Sequence, residues 1–70
     1  MDPRQQFAAN LRKARPRRKL SQEALGAAAG MHRTEVSRLE RAERDPRLAT
    51  IVKLARALDV PPSKLIDGIT

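Results

Sequence analysis

The 70-residue chain has no cysteine, tryptophan or tyrosine, and only one phenylalanine and one histidine. Without cysteine, neither a disulfide nor a thiolate metal site can staple so small a domain. His32 alone rules out most histidine-based metal sites and leaves no second imidazole for a catalytic relay. No glycine-rich phosphate loop is present, so the expectation is no enzyme, no cofactor and no metal. Long β-branched and aromatic runs are missing, which argues against a sheet. No apolar stretch approaches the about 20 residues of a membrane span. The opening MDPRQQF lacks a signal-peptide core. A cytoplasmic location is therefore expected.

Charge is abundant and unevenly placed. The formal net charge is +7, and seven cations stand in residues 1–20 against Asp2 alone. Residues 21–46 carry four cations and five anions, and residues 47–70 four and two. A basic balance points to a polyanion, most often nucleic acid. Six of the cations fall in RKARPRRK, Arg12 to Lys19. They serve a helix C-terminus and solvation on one reading, and phosphate attraction on the other. The two are compatible.

Alanine, leucine and arginine dominate, and the pattern reads as one domain, residues 1–70, of five short helices. Asp2-Pro3 is an N-cap with proline at the first helical position. Phe7, Leu11 and Ala14 recur with helical spacing, so a first helix is expected from Pro3 to about Arg15, ended or kinked by Pro16. Ser21 caps a second helix over Gln22–Ala29. Gly30, Met31 and His32 form a turn, and a third helix runs from Arg33 to Arg41. A fourth begins after Asp45-Pro46, at the latest by Leu48, with Leu48, Ile51, Leu54, Ala55 and Leu58 on one stripe. Val60-Pro61-Pro62 breaks it, and a last helix covers Pro62–Asp67.

Within residues 22–41 the order is Leu25, Gly26, Gly30, Met31, Val36, Leu39. Two helices crossing steeply need a position without bulk, a turn residue that tolerates positive φ, and two inward residues on the second helix. These features form a helix-turn-helix signature, whose second helix is shaped for the DNA major groove. With Val36 and Leu39 inward, the 100° step puts Thr34, Ser37, Arg38 and Arg41 on the outer face, with Arg33 at the tip. Arginine matches the O6 and N7 of guanine, and threonine suits a thymine methyl. Arg33, Thr34 and Arg38 are the candidate base-contacting residues, with His32 at the edge. Gln22, at the N-terminus of the second helix, is a phosphate candidate. Ser37, Arg41, Arg44 and Arg47 are further backbone candidates. Glu40 turns partly inward and needs a cation; Arg15 is the expected structural partner and Arg12 the alternative.

The pieces LRKAR, LSQEALGAAAG, HRTEVSRLERAERDP and LATIVKLARALDVPPSKL together resemble the phage repressor and Cro (XRE-like) type of helix-turn-helix regulator, from Phe7 to about Ile66. The resemblance implies a compact all-α, five-helix, lambda repressor-like domain that binds a palindromic operator as a homodimer. Carried over, the base-contacting positions fall on Arg33, Thr34 and Arg38, the phosphate glutamine on Gln22, and the interhelical pair on Arg15 and Glu40. The chain departs from the family at Lys19 and Ala42, where glycine is frequent, and at Gly26, where alanine is. It also departs at Pro16, and at His32, where Ser or Thr usually caps the third helix.

The expected function is sequence-specific binding of double-stranded DNA by a repressor or operon controller. Val60, Ile66 and Ile69 are apolar groups in excess of a tiny core and suggest a homodimer contact. Core burial is the alternative for Val60 and fraying for Ile69. The competing readings are an antitoxin, or a coactivator-type module whose main partner is another protein.

Overall fold

A computed structural model describes residues 1–70. Five helices follow in order: α1 Pro3–Arg17, α2 Gln22–Ala29, α3 Arg33–Glu40, α4 Leu48–Leu58 and α5 Pro62–Leu65. Their starts reflect local chemistry. Asp2 Oδ1 accepts from the Arg4 amide at 2.7 Å, and Ser21 Oγ from the Ala24 amide at 3.0 Å. Each such cap satisfies an amide that has no partner within the helix.

The ends differ from the sequence expectation in instructive ways. α1 does not stop before Pro16 but runs through it to Arg17. Pro16 lacks the amide that would bond the Arg12 carbonyl, yet this occurs where the ladder is ending anyway. The Arg15 side chain is also bonded on two sides, to Glu40 and to the Leu20 carbonyl, which holds that residue in place. Lys19 then adopts φ 56°, and Ala42, just past α3, adopts φ 60°. These left-handed values explain why glycine suits both positions. α3 ends at Glu40, with Arg41 as its C-cap, and α5 ends at Leu65, two residues before Asp67.

The core is Phe7, Leu11, Leu25, Ala29, Val36, Leu39, Leu54, Ala55, Leu58 and Leu65, drawn from all five helices. Leu48 was expected on the inner stripe of α4 but is 77% exposed, because it opens that helix and points off its end. Val60 and Ile69 are not spare: both are half-buried against the core, and the Ile69 amide bonds the Ile66 carbonyl. Only Ile66 of the three remains exposed.

Gly26 sets the crossing of α2 and the turn into α3. A Cβ there would lie 2.6 Å from the Met31 carbonyl oxygen, inside contact distance of backbone that cannot move alone. Gly30, at φ 71°, makes the left-handed turn that redirects the chain.

Candidate nucleic-acid interface

α3 presents its outer face to solvent. His32, Arg33, Thr34, Glu35, Arg38 and Arg41 are all exposed, while Val36 and Leu39 are buried beneath them. Ser37 is half-buried and sits at the edge of the face, less outward than helical geometry alone suggested. Arg38 has no ion-pair partner. Arg33 lies 3.7 Å from Glu23, and Arg41 3.3 Å from Glu43, each pair well exposed. Such exposed pairs are worth little, so an incoming anion can displace them.

His32 stands where Ser or Thr usually caps the third helix, and it makes that cap itself. Its Nδ1 accepts from the Thr34 amide at 3.0 Å, so the imidazole is the N-cap of α3, replacing the hydroxyl of Ser or Thr. Accepting at Nδ1 places the remaining proton of the neutral ring on Nε2. Nδ1 is therefore closed to a base edge, and only Nε2 can face outward.

Beneath this face lies one polar knot. Glu40 is 4% exposed. Arg15 donates to it through Nε to Oε2 at 2.6 Å and through Nη2 to Oε1 at 3.1 Å. This is the bidentate fork that suits a carboxylate. Arg15 Nη1 also donates to the Leu20 carbonyl at 3.0 Å, in the loop before α2. Hydrogen bonding to Glu40 raises the Arg15 pKa above its ordinary value and keeps the guanidinium charged. Arg12 takes a different part: its Nη1 donates to the Glu40 backbone carbonyl, tying down the last turn of α3. No buried side-chain nitrogen or oxygen lacks a partner.

Gln22 joins the same knot. Its Nε2 donates to Glu40 Oε1 at 3.0 Å. The amide is thereby held at the N-terminus of α2 with one N–H still available. Sequence reasoning gave Gln22 to the phosphate and Glu40 to Arg15, and missed that the two are joined. The spacing of 18 residues carries no local signal; only the α2–α3 crossing reveals it.

Arg44 and Arg47 lie in the exposed connector after α3. With Glu35 and Thr50 they border an open cleft of about 290 Å³. No group of three or more histidine, cysteine or acidic side chains is placed to hold a metal ion. No helix is long and apolar enough to cross a membrane.

The comparisons with known proteins agree with this geometry. The helix-turn-helix (HTH_3) family model matches residues 11–65. Control protein C.SmaI of Serratia marcescens is 41% identical over 66 residues, covering 94% of this chain and 79% of that protein. The crystal structure of the restriction–modification controller protein C.AhdI from Aeromonas hydrophila superposes with a TM-score of 0.86 at 40% identity, over 89% of this chain and 94% of that one. The P22 c2 repressor in complex with a synthetic operator gives a TM-score of 0.81 at 31% identity, again over 89% and 94%. The chain thus belongs to the HTH_3, XRE-type helix-turn-helix family of DNA-binding transcriptional regulators.

Proposed function

We propose that this chain is an operon controller that binds a palindromic operator as a homodimer and regulates a small set of promoters. The observation that carries the proposal is the outward array of Arg33, Thr34 and Arg38 on a helix fixed from beneath by Glu40. α3 enters the major groove by its N-terminal end. Arg33 and Arg38 donate to guanine edges, and Thr34 packs on a thymine methyl or bonds a base. His32, closed at Nδ1, reaches the edge of the site through Nε2–H. Gln22 and the free amides opening α2 take a phosphate, while Ser37, Arg41, Arg44 and Arg47 flank the groove and set register. The likeness to C.SmaI and C.AhdI favours a controller over an antitoxin. Acting on DNA places the protein in the cytoplasm, with the nucleoid. Dimerisation matches the exposed Ile66 beside a small hollow lined by Phe7, Ile51 and Ile69 and bordered by the Arg4–Asp45 pair.

In vitro selection from random duplexes, at near-physiological salt, tests this reading. An enriched inverted repeat is expected, its half-site spacing reporting the distance between two reading helices. Enrichment of a lone half-site would remove the dimer. Absence of any enriched sequence would remove operator recognition and leave a module for a protein partner.

A further inference from the structure

The six cations between Arg12 and Lys19 do not share one face. Arg12 and Arg15 turn towards Glu40 and α3. Lys13, Arg17 and Arg18 turn instead towards α5, where with Lys64 they line an open cleft of about 270 Å³. Ala14 and Val60 supply its apolar floor, Asn10 its remaining polar wall, and Asp67 its one carboxylate. No residue of α2 or α3 borders it, so it lies apart from the array described above.

The fold does not explain this concentration of charge. The α1 dipole favours cations at the C-terminal end of that helix, but Lys64 comes from a different helix. Lys13, Arg17 and Lys64 have no ion-pair partner, and Arg18 reaches only Asp59, at 3.9 Å. Four like charges around one hollow repel one another, and the local excess is relieved by an anion. A duplex seated on α3 is a poor candidate, because none of the residues assigned to base or phosphate contacts lines this cleft. An apolar floor inside a cationic rim also has no use for a phosphate backbone. It suits an acidic polypeptide that carries an apolar residue.

We propose that the α1–α5 cleft is a docking site for an acidic segment of a partner protein. Glutamate or aspartate side chains meet Lys13, Arg17, Arg18 and Lys64, and an apolar side chain rests on Ala14 and Val60. The site stands whether or not α3 reads an operator, and remains open while α3 lies in DNA.

The probe is a short fluorescein-labelled oligoglutamate peptide with a leucine at its centre, titrated into the full chain at physiological ionic strength. Saturable binding is expected, with amide shifts in nuclear magnetic resonance concentrated at Ala14, Val60 and Lys64. Lys64→Glu substitution is expected to weaken the peptide by about threefold or more while affinity for duplex DNA changes far less. Should that variant fail to fold by circular dichroism, Lys64→Gln and the amide map of the unaltered protein decide the matter. Shifts centred on Arg33 and Arg38 would overturn the proposal. So would a charge reversal that weakens duplex DNA as much as peptide, since the cleft would then belong to the DNA contact. Operator selection failing while the peptide still maps to the cleft would remove the proposed function and leave this site intact.

Discussion

The junction of α1, α2 and α3 and the corner of α4 and α5 are both tightly packed, but by different means. At the junction, a buried carboxylate collects donors from two other helices, and a glycine lets backbone approach backbone. At the corner, Leu54, Ala55, Leu58 and Leu65 are buried with almost no polar help. Its main polar tie is Asn10, whose Nδ2 donates to the Leu65 and Asp67 carbonyls at 2.9 Å each. Apolar contact tolerates small slips, whereas a forked Arg–carboxylate bond does not. The chain places its directional bonds under the helix that must present side chains accurately, and relies on burial elsewhere.

The sharpest way to break this contrast is Glu40→Ala. It strands Arg15 and Gln22 at the junction, but Arg15 is 22% exposed and can turn towards water, so the loss is about 2–3 kcal/mol. That is a large share of the roughly 4–10 kcal/mol available to a domain of this size. Thermal melting is expected to show a strongly lowered melting point. Gly26→Val comes next. Its side chain meets the Met31 carbonyl, and overpacking of this kind costs about 1–3 kcal/mol. The variant is expected to remain folded below its lowered melting point but to bind DNA poorly, because the turn that aims α3 has moved.

Asn10→Ala probes the other region. Losing two carbonyl bonds is expected to cost about 1–2 kcal/mol by urea denaturation, while DNA affinity at low temperature stays unchanged. Loss of DNA binding at full folding would mean that the corner positions α3 as well. The smallest effect is that of pH at Asp2. The Arg4 amide hydrogen bond, seconded by the Arg4 charge, holds this carboxyl below the usual aspartate range. A lowered folded-state pKa means the cap contributes above the unfolded-state value and loses that contribution as pH falls through the folded-state one. Titration followed by magnetic resonance is expected to show Asp2 protonating at lower pH than an exposed aspartate, with fraying confined to the start of α1.

Much of the architecture was legible because local chemistry dictated it. Asp2-Pro3, Ser21 and Gly30 marked helix ends by capping and turn preference, and the spacing of Phe7 and Leu11 identified a buried stripe. The misreadings came from positions decided by distant neighbours. Pro16 reads as a stop, yet Glu40 and the Leu20 carbonyl hold Arg15 helical beside it. Leu48 fits the stripe of α4 by periodicity, but a helix's first residue has no turn before it to lie on. Val60 and Ile69 look superfluous until α5 folds back against α1. For the interface, outward placement of Arg33, Thr34 and Arg38 followed from knowing that Val36 and Leu39 point inward. His32 as a cap and Gln22 as a partner of Glu40 depended on side-chain directions that a linear pattern does not carry.

In the proposed complex, α3 reads bases through side chains held by the knot beneath it. The most direct test is the affinity of the unaltered chain and of Arg38→Ala for the selected operator and every one of its point variants. Arg38→Ala is expected to cost about 1–3 kcal/mol on the preferred site and to erase discrimination at one base pair of each half-site. Gln22→Ala, measured alongside, is expected to weaken all sequences more evenly. Uniform weakening by Arg38→Ala, with every base preference retained, would contradict the assignment of α3 as the reading helix.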